Sequence, residues 1–161
     1  MKTKGFTLIE LLVTMGIIAV LTGMAVFNFN QARVRARDVQ RKNDASQLAK
    51  ALEVYKNDNG SYIPPKSSDP DNSYFQTVLL EGGYTKTTFN DPRGTDWDTY
   101  SYLSNDDGKT YYLRVCLENK ADSTRTTDTN LCGLFSNGSG CGCSGSTLGN
   151  YAGVMYILRN P

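Results

Sequence analysis

Histidine is absent from all 161 residues, which excludes a histidine general base and a His-rich metal site. Cysteine is absent until Cys116, and neither a GxSxG elbow nor a GxxxxGKS phosphate loop occurs, so two common routes to hydrolase or nucleotide chemistry have no anchor. Between Gln31 and Lys56 there is no Gly and no Pro, so nothing in that stretch breaks a helix. From Phe6 to Phe29 charge is nearly missing. Glu10 is the only ionisable residue in those 24 positions.

That run is long enough to matter. At about 1.5 Å per residue, 24 helical residues span about 36 Å, against a hydrocarbon core of about 30 Å. A secretory signal peptide has an apolar core of only about 7 to 15 residues. A buried core helix is also a poor fit, because mean hydropathy is −0.42 and a polar remainder could hardly cover such a cylinder. Membrane insertion is the expected reading. A carboxylate inside it costs about 2.5 to 3.5 kcal/mol at mid-bilayer and less near the interface, so Glu10 calls for a partner.

Charge is unevenly placed although the formal total is +1. Residues 1–57 carry nine Lys/Arg and four Asp/Glu, a net +5, whereas residues 58–161 carry eight and twelve, a net −4. The stem's bases cluster at Arg33, Arg35, Arg37, Arg41 and Lys42, diluted among acids only by Asp38. Such a cluster reads as a solvated helix face, a contact for anionic lipid, or a track for DNA, with the first favoured because the bases surround the helix without interleaved aromatics. Lys120, Arg125 and the loop around them would be the exposed alternative for nucleic acid, but that region is not strongly basic. By the positive-inside rule, five bases after the span outweigh Lys2 and Lys4 before it and would keep the head in the cytoplasm.

The cysteines point the other way. Cys116, Cys132, Cys141 and Cys143 lie in a Gly/Ser/Thr-rich region, and an even number in such a setting implies two disulfides and an oxidising compartment. Their spacing lacks the paired CxxC knuckles of structural zinc sites. Direct closure of Cys141 on Cys143 would strain the bridge geometry, so each is expected to pair with Cys116 or Cys132. A Cys116–Cys132 bridge would be worth about 3 kcal/mol in the chain-entropy model.

Along the chain, Ala45, Leu48, Ala49, Leu52 and Tyr55 share one helical face, and Asn57-Asp58-Asn59-Gly60 followed by Pro64 and Pro65 stops the helix. One helix of about 52 residues is expected. Ser73 to Leu80 reads as a short helix or an irregular segment. Thr99 to Ser104 and Lys109 to Glu118 flank Asn105-Asp106-Asp107-Gly108 as a β-hairpin. Asn119 to Asn150 reads as a polar loop and Tyr151 to Leu158 as a last strand. Aspartates at Asp69/Asp71, Asp91/Asp96/Asp98 and Asp106/Asp107 suit turns; calcium stays open as a ligand of one of them, although none matches an EF-hand. No other cofactor is expected, and no catalytic set supports an enzyme anchored by a single span.

Lys2 to Phe29, and GFTLIELLV from Gly5 to Val13 above all, resembles the processing site of type IV pilins and type II secretion pseudopilins. The long helix, hairpin and cysteine loop are similar in layout to the rest of such chains. The resemblance implies an α+β pilin fold: one N-terminal helix, membrane-spanning in its first half, packed on a small antiparallel sheet with a disulfide-stapled C-terminal loop. It divides the chain into a cleaved leader at 1–5, a membrane and filament-core half-helix at 6–29 and a head at 30–161.

The resemblance further implies that a membrane prepilin peptidase cuts between Gly5 and Phe6 and N-methylates Phe6, so that the chain is a substrate and not a catalyst. Glu10 would then meet the N-terminal amine of an adjacent subunit. Implied partners are further copies of the chain, the peptidase, an inner-membrane assembly platform with its ATPase, and the lipid bilayer. The protein would sit as a single-pass protein in the cytoplasmic membrane and afterwards in an extracytoplasmic filament. Gly16 and Gly23 would permit close helix contact, whereas the Pro common in this part of pilin helices is missing. YKNDNGSYIPP at Tyr55 to Pro65 and DPRGTDWDTYSY at Asp91 to Tyr102 resemble major pseudopilins, while the cysteine-rich loop resembles disulfide-looped pilins. A pilus subunit, a secretion pseudopilin, and a DNA-uptake or adhesive subunit therefore remain alternatives.

Overall fold

The computed structural model describes residues 5–64, 74–94, 97, 100–135, 141–144 and 152–160. Two compact units divide the chain, Met1–Ala36 and Arg37–Pro161. The element order is α1 (Leu8–Asn59), α2 (Tyr74–Glu81), β1 (Ser101–Ser104), β2 (Tyr111–Leu117), α3 (Thr129–Gly133), β3 (Gly142–Ser144) and β4 (Ala152–Arg159). The class is α+β, and the 52 residues of α1 agree with the helix expected from the sequence.

In the first unit the described apolar side chains lie largely exposed. Ile9, Leu12, Ile18, Val20, Leu21 and Met24 are all more than half exposed, and the helix is long and apolar enough to cross a membrane. Such a surface is unfavourable in water by about 25 cal/mol per Å² of apolar area. It is suited to lipid or to other helices.

In the second unit the same helix changes character. Ala45, Leu48 and Leu52 become fully buried, with Ala49 and Tyr55 packed beside them. Gly60, at φ 79°, ends the helix, and its N–H bonds Lys56 O at 2.7 Å, as the left-handed C-terminal cap requires.

The sheet order is β1-β2-β4-β3, antiparallel throughout, with Leu113 opposite Leu158 and Cys116 opposite Met155. Period-2 alternation along β2 serves two cores. Tyr111, Leu113, Val115 and Leu117 join the α1 residues, Ile63, Phe75 and Leu79 in the main core. Cys116, on the alternate face, joins Trp97, Cys132, Cys143 and Met155 in a second. In the hairpin turn Gly108 has φ 63°, and an added Cβ would fall 2.7 Å from Ser61 Cβ, so only glycine fits there.

Three expectations are corrected. The segment 119–150 is not one loop: α3 and β3 lie within it, β3 held by pairing with β4 and by Met155 N–H donating to Cys141 O. The bridges are Cys116–Cys143 and Cys132–Cys141, so Cys141 and Cys143 each pair with one of Cys116 and Cys132 as expected, and the Cys116–Cys132 closure considered beside them does not form. The reason lies in the register: Cys143 pairs with Gly153 and Cys116 with Met155, so the two cysteines meet β4 two residues apart, with their Cα atoms 6.0 Å from each other. The two loops are worth about 3.5 and about 2.5 kcal/mol in the chain-entropy model. The third correction concerns the basic cluster. It is only partly a solvated face, because Arg41 is fully buried and Arg37 and Lys42 are half-buried.

Candidate functional site

At the N-terminal segment, Gly5 and Phe6 precede the helix and are exposed, Phe6 at 81%. Nothing lies within 4 Å of a Cβ built on Gly5. Packing and backbone conformation therefore place no demand for glycine there. Lys2 and Lys4 lie outside the described residues.

Thr7 is the N-cap of α1. Its backbone N–H and hydroxyl both donate to Glu10 Oε2, at 2.9 and 2.8 Å, and its Oγ1 accepts the Glu10 N–H at 3.4 Å. This is a reciprocal capping box, in which Thr and an acid three residues on satisfy each other's backbone donors. Sequence reading passed over Thr7, although Thr7-x-x-Glu10 ahead of an apolar run carries the signature. Both bonds fall on one oxygen of Glu10. A carboxylate offers about four acceptor sites, so Oε1 keeps capacity for a further cation.

The second cluster is in the head. Arg41 donates from Nε and Nη2 to Asp91 at 2.6 and 2.8 Å, and from Nη1 to Asp38 and Glu118 at 2.8 and 2.7 Å. Arg37 grips Glu118 through two further bonds of 2.6 Å, and Lys42 meets Asp122 at 2.6 Å. Asp38 also accepts the N–H groups of Glu118 and Asn119.

Burial alone would lower the Arg41 pKa, but bonds to Asp91, Glu118 and Asp38 outweigh it and hold the group charged. Burial likewise raises the Glu118 carboxyl, yet the two guanidiniums bring it below its usual value. Burial opposes the same trend at Asp122, which Lys42 and Thr124 bring down to about 2. Asp44 goes the other way, raised chiefly by burial although Tyr100 OH donates to it at 2.8 Å. These charges neutralise one another across α1, the Asp91 turn and the end of β2. The arrangement is a clamp, and it leaves Arg37, Arg41 and Lys42 committed within the head rather than displayed to lipid or DNA.

The four cysteines are all in disulfides, so thiolate zinc ligation does not arise. Among the described residues no group of three or more His, Cys, Asp or Glu is placed to hold a metal ion. Asp91 is spent on Arg41, and Asp107 accepts the Lys109 N–H within its own turn. Asp69, Asp71, Asp96 and Asp98 lie outside the described residues.

Comparison with known proteins gives matches at both ends of this picture. The family description "Prokaryotic N-terminal methylation motif" matches residues 1–26. The chain is similar to the type II secretion system core protein G of Vibrio cholerae, 32% identical over 112 residues that cover 64% of this chain and 72% of the relative. It is also similar to core protein G of Escherichia coli K12, 32% identical over 104 residues, covering 60% and 70%. The type IV wide pilus major component PilA4 of Thermus thermophilus is 44% identical over 61 residues, covering 38% and 47%. No solved structure gives a significant match.

Proposed function

The chain belongs to the family of type IV pilins and type II secretion pseudopilins, and from that membership we propose that it is a filament subunit stored in the membrane and released from it by polymerisation. The observation that carries this reading is the capped, exposed apolar helix: Glu10 is held by Thr7 at the head of an apolar stretch in which Leu8, Ile9, Leu12, Ile18 and Leu21 are all more than half exposed. Before assembly the bilayer covers that surface. In the filament, the helices of neighbouring copies take its place.

Processing follows from the same residues. Cleavage by a prepilin peptidase after Gly5 removes Lys2 and Lys4 and creates an amine at Phe6, which the same enzyme methylates. The new cation lies next to the N-cap, where it opposes the helix dipole, and a carboxylate is the natural counter-charge. Glu10 accepts from its own Thr7 on one oxygen and offers the other to the amine of an adjacent subunit. A charge that is costly alone in lipid thereby fixes the register of the incoming subunit. The chain is substrate and structural material for this chemistry, with no catalytic role of its own. An assembly platform and its ATPase supply the work of extraction.

Paired cysteines support an extracytoplasmic head. Three of the five stem bases, Arg37, Arg41 and Lys42, have a folding reason, in the clamp, that is independent of membrane topology. A second reading, pseudopilin of a type II secretion system, is favoured by the longer alignments with core protein G. Deleting the gene separates the two: loss of sheared surface filaments marks a pilus subunit, and loss of protein secretion marks a pseudopilin.

A further inference from the structure

The second core consists largely of half-cystines, and Trp97 joins it to α1. Trp97 Nε1 donates to Cys116 O at 2.9 Å, and the Arg41 and Arg93 guanidiniums lie 5.1 and 4.9 Å from its ring centroid. A Cβ on Gly153 would come within 2.8 Å of the ring and 2.6 Å of Leu117 O. Gly153 is the ladder partner of Cys143, so the ring rests on the strand segment that holds the bridge. Contacts thus run from Cys143 through Cys116 and Trp97 to Arg41, and from Arg41 to Asp38, whose carboxylate holds the Glu118 and Asn119 amides.

The two bridges differ in access. Cys116 and Cys143 are 1% and 3% exposed, whereas Cys141 of the other bridge is only half-buried. An external thiol or disulfide therefore meets the Cys132–Cys141 pair first.

We propose that the Cys116–Cys143 disulfide is a redox latch on the Arg41 clamp: it fixes Trp97, and through it the grip of α1 on the end of β2. When it forms, the two thiols give up two electrons and two protons to an external protein or low-molecular-weight disulfide, which leaves as two thiols. In the dithiol chain Trp97 is released, the Asp38 hold on Glu118 and Asn119 opens, and the β1–β2 core stays closed. For assembly this means that a chain with reduced cysteines does not present a finished head, a consequence that rests on the filament reading; the latch does not.

The test is amide hydrogen exchange on the full chain in detergent micelles, with fluorescence of its single tryptophan read in parallel. Reduction with excess dithiothreitol, or the pair Cys116→Ser and Cys143→Ser, is expected to speed exchange at Glu118 and Asn119 at least tenfold and to shift Trp97 emission, with Leu113 and Val115 still protected. The pair Cys132→Ser and Cys141→Ser should leave Glu118 and Asn119 within twofold. Trp97→Leu, with both bridges intact, should reproduce the faster exchange at Glu118 and Asn119 by removing the ring. Unchanged exchange at Glu118 and Asn119 after reduction would overturn the latch. So would an equal effect from the outer-bridge pair, or joint loss of protection at Leu113 and Val115, which would make the bridge a global staple. These readouts need no filament, so failure of the filament reading would show separately, as a wild-type chain that never polymerises.

Discussion

Thr7 and Glu10 hold each other in a box closed by three hydrogen bonds, and single substitutions separate its two jobs. Glu10→Gln keeps an acceptor for the Thr7 donors but loses the charge. It should leave the chain folded and membrane-inserted while stopping or slowing incorporation into filaments, and wild-type filament yield from this variant would refute the role given to Glu10. Thr7→Ala removes the N-cap, at a cost of about 0.5 to 2 kcal/mol, and should appear as faster amide exchange over the first turn of α1. Deeper in the head, Arg41→Ala would leave Asp38, Asp91 and Glu118 without their shared cation, a loss of about 3 to 5 kcal/mol for a broken buried pair. Arg41→Lys should recover only part of it, because an ammonium cannot span Asp91 bidentately.

The same residues set a pH profile. Glu118 and Asp122 titrate below their usual range, Asp122 at about 2, so the stability they contribute is present at neutral pH and is lost as pH falls from about 4 toward 2. Asp44 titrates above its usual value; its buried charge is a penalty at neutral pH that lifts as pH falls through its folded pKa. Thermal midpoints should therefore rise slightly on mild acidification and then drop. In Asp44→Asn, the rise should vanish and the drop remain.

Among the elements, α1 and the β1–β2 hairpin were legible because their signals are local. An unbroken apolar stripe, an Asn-Asp-Asn-Gly stop and an Asp-Gly turn each act within a few residues. Observed strands differ from the expected ones only at their ends: Ser101–Ser104 against Thr99 to Ser104, and Tyr111–Leu117 against Lys109 to Glu118. The elements α3 and β3 were not legible, since their sequences are polar and Gly-rich. Their placement depends on the Asp128 cap, on pairing with β4 and on bridges made across 27 and 9 residues. The clamp was hidden for the same reason, with Arg41 lying 50 positions from Asp91 and 77 from Glu118. A cluster of bases looks solvent-facing until the acids that fold onto it are known. In β2, Leu113→Ala should cost about 2 to 5 kcal/mol, read from denaturant unfolding, because Leu113 is fully buried in the main core.

For the molecule as a whole, the two units divide the labour. Met1–Ala36 carries the apolar, capped helix that needs lipid or other helices around it, and Arg37–Pro161 carries its own two cores, ion-pair clamp and disulfides. Packing does not require a glycine at Gly5, which agrees with the proposal that a peptidase cuts between it and Phe6. Replacing Gly5 with Leu should leave the head's thermal midpoint unchanged while a higher-mass, unprocessed species accumulates. The most direct measurement is intact-mass and N-terminal peptide mass spectrometry of the protein purified from its native membrane. A chain that begins at Phe6 and carries one added methyl group on its α-amine is the expected result; a full-length chain still beginning at Met1, in cells that assemble filaments from it, would contradict the proposal that cleavage after Gly5 creates the amine Glu10 receives.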